Sequence, residues 1–354
     1  MINNLLIMIK VLIVEDSKVA GEFLKFILNA DSDIEVIGFV HNGRQAIEFL
    51  KHTKPDVITM DIDMPVMNGL EATRYIMSTT AVPILIVTGS RNANEVQTSI
   101  EALSAGALSV IQKPYGVNHP REEESIRKLV IMVKLMAEVK VVTHRSLKIK
   151  KSEDIQLPVR ELIASDLIKR KKIVAIGVST GGPNVLKQIF SKISRKFPLP
   201  IVVVQHISEG FLVGLVNWLS GTNNIGMSIA KHNEILTPGH VYFAPDNSQM
   251  TVNAKGIVKL SNCEEGAIIC PSVTNLFESL AKEYGSASIA LLLTGMGSDG
   301  SHALKELRNK GALTIAQDMN SSMVYGMPGV AVKLDAADLI LNPMEIAELL
   351  FSME

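Results

Sequence analysis

Two cysteines, one tryptophan and 5% aromatic residues are all that this chain of 354 residues holds of the types used to staple small domains or build stacking surfaces. Cys263 and Cys270 are too few for a disulfide framework and fit no metal-hook spacing, so the expectation is a reducing cytosol and buried, apolar thiols. No sign of charge dominates. The 35 Lys+Arg against 36 Asp+Glu remove the bulk electrostatic argument for nucleic acid or an anionic membrane as partner. Long apolar runs are also missing. The opening MINNLLIMIKVLIVED is interrupted by Lys10, is too short to span a bilayer, has no small-residue cleavage site and runs into acidic residues. It predicts a ragged tail ahead of a core strand, in a cytoplasmic protein.

The length is enough for two or three domains with large cores. From Ile9 to about Lys140, strand-like runs (IKVLIVED, IEVIGFV, DVITMD, PILIVTGS, LSVIQKP) alternate with amphipathic patterns such as GRQAIEFLKH and NEVQTSIEALSAG. Five strands alternating with five helices predict a doubly wound parallel α/β sheet, whose ligands bind beyond the carboxyl ends of the strands. Polar residues gather at those ends: Glu15 and Asp16, then Asp61, Thr88 and Lys113. Adjoining carboxylates repel unless a hard cation such as Mg²⁺ sits among them. A carboxylate beside such an ion can attack a phosphoryl group, with a lysine and a hydroxyl to hold its oxygens. One acidic residue at a strand end is usually a helix cap; five suitable residues at five matching positions are not explained that way.

Val141 to Lys171 changes character, being rich in Lys, Ser, Thr and Glu. It predicts a linker with a short helix near LPVRELIASDLI, ending in a solvated basic cluster at 169–172. The second half then opens on KIVAIGVSTGGP, a branched apolar run followed by a glycine turn that spells G-x-S-x-G around Ser179. Such a turn suits a nucleophile elbow, a phosphate cradle or a plain crossover. Two further apolar runs end in His206 and Asp299. If the three are neighbouring parallel strands, a hydroxyl, an imidazole and a carboxylate meet at one edge, as nucleophilic catalysis by serine requires. Asp246 and Asp318 are the alternative acids, and His240 is a candidate for the lining of the cleft. The order Ser–His–Asp differs from the Ser–Asp–His of α/β-hydrolases. A dinucleotide site is disfavoured, since G-x-G-x-x-G is absent and His206 stands where an acidic residue would follow the second strand.

The run ITMDIDMPVMNGLEA, with Glu15-Asp16 before it and Lys113-Pro114 after it, resembles a response-regulator receiver domain. The resemblance implies Asp61 as phosphoacceptor, and Mg²⁺ held by Asp16, Asp61 and the backbone carbonyl of Asp63, with Glu15 behind them. Thr88 and Lys113 would contact the phosphoryl group. Val110 stands where receivers commonly carry a switching aromatic. In the second half, IGVSTGGP, VVVQHIS, LTPGHVYFAP, CPSVTNLFESLA, LLTGMGSDG and TIAQDMNSSMVYGMPGVA are similar, in order, to the chemotaxis protein-glutamate methylesterase and glutamine deamidase family, CheB. That resemblance implies a Ser179–His206–Asp299 triad, with Thr180 and the Met296 N–H bordering the oxyanion position and no cofactor for the ester reaction. It also implies chemoreceptors as substrate and a histidine kinase as phosphodonor. Gln249 and Cys270 occupy positions where the family often has histidine and a basic residue. The expected architecture is therefore a flavodoxin-like (βα)5 receiver over 9–140, a linker over 141–169 and a Rossmann-like parallel-sheet esterase domain over 170–354, in a monomer.

Overall fold

The computed structural model describes residues 8–89, 93–116, 118–139, 168, 170–264 and 269–354. The chain divides into two compact units, on either side of residue 148. Most of the expected linker, and its short helix apart from Ile168, lie outside the described residues.

The first unit runs β1 (Ile9–Val14), α1 (Lys18–Asn29), β2 (Ile34–Val40), α2 (Gly43–Phe49), β3 (Val57–Met60), α3 (Gly69–Thr79), β4 (Ile84–Thr88), α4 (Ala93–Ser104), β5 (Ser109–Gln112) and α5 (Glu122–Ala137). Its five strands lie in the order β2-β1-β3-β4-β5, all parallel. Strands covered by helices on both faces need apolar side chains at every position rather than at alternate ones. Val11 to Val14, Val57, Ile58 and Ile84 to Val87 are accordingly buried. Polar caps start the helices: Ser17 accepts from Ala20 N, Asn42 from Gln45 N, and Asn68 forms a reciprocal capping box with Glu71.

The second unit contains β6 (Ile173–Val178), α6 (Gly182–Phe190), β7 (Ile201–Gln205), α7 (Leu212–Thr222), β8 (Gly226–Ile229), β9 (His240–Phe243), β10 (Ser248–Val252) and β11 (Val258–Asn262). It continues with α8 (Val273–Glu283), β12 (Ser288–Leu292), α9 (Ser301–Asn309), β13 (Leu313–Gln317), α10 (Met327–Lys333), β14 (Leu339–Leu341) and α11 (Pro343–Phe351). Seven parallel strands form one sheet in the order β14-β13-β12-β6-β7-β9-β8, while β10 and β11 make a separate antiparallel hairpin. The chain begins in the middle of the sheet with β6, winds outward through β7 and returns to the other side with β12. That reversal opens a crevice at the carboxyl ends of β6 and β12, the usual place for a ligand in an open α/β sheet. On α8, Val273, Leu276, Phe277, Leu280 and Ala281 are buried at helical spacing against the sheet.

Three expectations are corrected. Cys263 and Cys270 are neither buried nor free; they form a disulfide, Cα to Cα 6.0 Å, between the end of β11 and the approach to α8. Composition limits how many bridges a chain can have, but the approach of two residues depends on how the hairpin packs against the helix. Lys171, expected in a solvated cluster, is buried and donates from Nζ to Ser286 O at 2.7 Å; burial pulls its pKa down. His240 opens β9 at the end of the sheet away from Ser179, where its Nε2 lies 2.8 Å from Ser228 Oγ and burial lowers its pKa. It does not line the cleft. Among the described residues no helix is long and apolar enough to cross a membrane.

Candidate functional sites

In the first unit the loops after β1, β3 and β5 bring Glu15, Asp61 and Lys113 together. Lys113 Nζ lies 2.6 Å from Glu15 Oε2 and 2.7 Å from Asp61 Oδ2, while Asp61 Oδ1 accepts from Ile62 N at 2.7 Å. Burial pushes both carboxyl groups above their ordinary range, against the pull of Lys113. On Lys113 burial works the other way, and its hydrogen bonds to the two acids outweigh it and raise its pKa. Thr88 closes β4 and is buried; its carbonyl accepts from Lys113 N at 2.8 Å. Glycine at position 69 lets the turn after β3 fold tightly, since a Cβ there would sit 2.0 Å from the Asp61 carbonyl oxygen. Val110 is a buried core residue of β5.

One ligand oxygen each from Glu15, Asp16 and Asp61 lies within 4.8 Å of the others. An all-oxygen set with two acids held above their normal pKa suits a hard divalent cation, which removes the cost of ionising them. Asp16 is exposed and can supply its carboxylate from the solvent side, and Asp63, two residues after the buried Asp61, is exposed as well.

In the second unit β6 is flanked by β7 and β12, so Ser179, His206 and Asp299 follow the carboxyl ends of adjoining strands. The turn at Ser179 is built for close approach. Gly181 has φ 83°, in the left-handed region that glycine tolerates. A Cβ on Gly295 would lie 2.6 Å from Ser179 Cβ, so the loop after β12 can pass the serine only as glycine. Ser179 N donates to Thr294 O at 2.9 Å, and Ser179 O accepts from Gly182 N at 2.9 Å. No hydrogen bond engages Ser179 Oγ among the described residues, and the N–H groups of Thr180 and Met296 donate none.

His206 Nε2 lies 3.0 Å from Asp299 Oδ2. The carboxylate is held by donors that the sequence did not single out. Its Oδ1 accepts from Ser272 Oγ (2.8 Å), Thr274 N (3.0 Å) and Thr274 Oγ (2.6 Å), and its Oδ2 accepts from Val273 N at 2.7 Å. Asp299 thus caps the N-terminus of α8 from outside, where unpaired N–H groups and the helix dipole favour an anion. Burial would raise its pKa, but the contact with His206, the Thr274 hydrogen bond and the backbone donors together drive it well below the ordinary aspartate range. Gln249 Oε1 accepts from Ser272 N at 2.8 Å, which ties the β10–β11 hairpin to the same segment. The alternative acids are occupied elsewhere: Asp246 accepts from Gly210 N, and Asp318 from Ser321 N. A Ser-x-Thr at a helix start reads as an ordinary cap; nothing local signals that its ligand is a carboxylate 25 residues downstream.

An acidic pocket of this kind at the edge of one five-stranded sheet, followed by a second doubly wound domain with a half-buried serine on a glycine turn, is the layout of a response regulator with an enzyme as its output. The comparisons agree. The model for the CheB methylesterase family matches residues 174–350, and that for the response regulator receiver domain matches residues 11–122. A protein-glutamate methylesterase/protein-glutamine glutaminase of Nitrosospira multiformis is 45% identical over 349 residues, 98% of this chain and 97% of that protein. One of Geobacter metallireducens is 45% identical over 347 residues, 98% and 99% of the two chains. The crystal structure of the Thermotoga maritima CheB methylesterase catalytic domain covers 52% of this chain and 99% of its own, at 35% identity and TM-score 0.50. The chain belongs to the CheB methylesterase family and has a receiver domain ahead of its catalytic domain.

Proposed function

We propose that the chain is a cytoplasmic, monomeric hydrolase of chemotaxis adaptation. Its second domain removes methyl esters from glutamyl side chains of chemoreceptors and deamidates receptor glutamines, and phosphorylation of its first domain activates it. The observation that carries the chemistry is the seating of Asp299 on the end of α8 with His206 Nε2 at 3.0 Å, on strands flanking the one that ends at Ser179. With Nε2 facing Asp299, Nδ1 is the nitrogen left to take the serine proton. Ser179 Oγ attacks the ester carbonyl carbon, and Thr180 and the Met296 N–H border the oxyanion. One such donor is worth about 10²–10³ in rate. The C–O bond breaks, His206 returns the proton to the leaving methanol, and water then cleaves the acyl-serine by the same route. With glutamine the leaving group is ammonia. Asp299, held ionised by its donors, stabilises the imidazolium in each half-reaction.

Asp61 is the proposed phosphoacceptor, with a histidine kinase as donor. Mg²⁺ on Asp16, Asp61 and the Asp63 carbonyl, with Glu15 behind, would offset the negative charge gathered there. Lys113 is already in place to meet a phosphoryl oxygen, and Thr88 ends the neighbouring strand. A hundredfold activation needs only about 2.7 kcal/mol of differential stabilisation between inactive and active states. The assay is methanol release from methylated receptor. Wild type should be active, Ser179→Ala inactive, and a small-molecule phosphodonor with Mg²⁺ should raise activity in wild type but not in Asp61→Ala. An active Ser179→Ala variant would refute the nucleophile; equal stimulation of Asp61→Ala would refute the phosphoacceptor.

A further inference from the structure

Gln205 is the last residue of β7 and is 4% exposed. Its Nε2 donates to Ser179 O at 2.9 Å and to His206 O at 2.8 Å. Both partners are carbonyl oxygens, so only the amide nitrogen can face them, and the orientation of the carboxamide is set by chemistry. The bonds lie where the sheet stops. The last ladder pair of β6 and β7 is Val178 with Gln205, and the last backbone bond across it is His206 N to Val178 O at 2.9 Å. One residue further on, Ser179 N is held from the β12 side by Thr294 O. On the β7 side, the bond from Gln205 is the one that reaches Ser179 among the described residues.

The surroundings are shaped around this amide. Gly182 leaves the room it needs, because a Cβ there would meet Gln205 Oε1 at 2.1 Å. A second carboxamide acts from the opposite side: Gln317, the fully buried last residue of β13, accepts from Thr294 N at 2.8 Å. Thr294 O is the acceptor for Ser179 N, so the turn that carries the serine is gripped through its N–H from one flank and through its carbonyl from the other.

We propose that Gln205 is a positioning residue for acyl transfer, which locks the main chain of the nucleophile to that of the base so that Ser179 Oγ and the imidazole keep one separation through both half-reactions. The proposal rests on the reading of Ser179 as nucleophile and His206 as base. Gln205 does not touch the reacting atoms; it acts through two carbonyls. Displacements of about 1 Å at a reacting pair cost about 10²-fold in rate. Gln205→Met keeps the length and the apolar packing but cannot donate. It should lower kcat by about 10²-fold with KM within about threefold.

Gln205→Glu supplies the second variant. Burial raises a carboxyl pKa, and only the protonated form can donate, so its deficit relative to wild type should widen as pH rises. The full chain is used throughout, with methanol release as one readout and the rate of Ser179 labelling by a fluorophosphonate, followed by intact mass, as the other. A wild type that neither releases methanol nor labels at Ser179 removes the nucleophile reading itself. A wild type that does both, with Gln205→Met labelling at the same rate, removes the positioning role alone. Lost activity matched by an equal loss of folded protein in circular dichroism would mean that Gln205 only supports the fold, and would overturn the proposal equally. If Gln205→Met does not fold, a Gln205→Glu deficit that is the same at every pH overturns it in the same way.

Discussion

Replacing Thr274 by valine removes a hydroxyl that serves two partners at once. It donates to Asp299 Oδ1 at 2.6 Å and accepts from Gly300 N at 2.9 Å. A hydrogen bond to a charged group is worth about 1.5–3 kcal/mol, and a buried N–H left without a partner costs about 1–3 kcal/mol. Thr274→Val is therefore expected to destabilise the catalytic domain by about 3 kcal/mol or more, a large part of a typical 5–15 kcal/mol. Thr274→Ser keeps both bonds and loses one methyl, about 0.8 kcal/mol. Trp218 is the sole tryptophan, buried in α7, so its fluorescence in urea follows this domain and not the receiver. The gap between the two variants should also depend on pH. Asp299 has its pKa lowered by folding, so the stability it contributes is complete above the ordinary value of 3.8 and is lost as pH falls through the depressed folded-state value. The gap should be constant near neutrality and narrow below pH 3.8 as the carboxylate takes up its proton, down to the share owed to the unpaired Gly300 N–H. A weaker hold on Asp299 also loosens His206, and Thr274→Val should lose about tenfold in kcat/KM. Equal urea midpoints for the valine and serine variants would refute the account of how Asp299 is seated.

Two further outcomes follow from the charges and the bridge. Lys113→Met leaves Glu15 and Asp61 buried without their cation and should cost the receiver about 3 kcal/mol at pH 7, since a broken buried pair exposes the full desolvation penalty. Because folding raises both carboxyl pKa values, the deficit should shrink as pH falls and they gain protons, and also when Mg²⁺ replaces EDTA; melting by circular dichroism that is insensitive to both would count against the charge argument. Reduction of Cys263–Cys270 opens a short loop of sequence separation 7, whose closure is worth about 2.5 kcal/mol to the folded domain. The Trp218 melt should drop by about 5–10 °C in dithiothreitol, and a Cys263→Ser variant should show no such drop.

Sequence periodicity was enough to read the first parallel α/β sheet and three apolar strands of the second, because strands buried on both faces must be apolar throughout and their connecting helices must show one apolar stripe; the second sheet as a whole was expected from the family resemblance. It was also enough to point at Glu15, Asp61 and Lys113, and at Ser179, His206 and Asp299, since a polar residue ending an apolar run has only the strand edge to occupy. Strand order was not legible. That β6 lies between β7 and β12 follows from which helices cover which face, and the pairing of β6 with β12 joins residues more than a hundred positions apart. For the same reason the donors of Ser272 and Thr274 to Asp299 went unread: they look like local caps, and their partner comes from another strand.

Tertiary structure also decided three matters on which composition or motif had pointed the other way. Lys171 is buried because Ser286 O lies within reach of its ammonium. Cys263 and Cys270 pair because the β10–β11 hairpin returns beside the start of α8. His240, a cleft candidate by its motif, begins its strand rather than ending it and so faces the wrong edge. The sequence by itself determined which residues can do chemistry, through residue type and the period of burial. The fold alone decided which of them meet, because hydrogen bonds and ion pairs form between atoms brought close in space, and local pattern carries no record of distant neighbours.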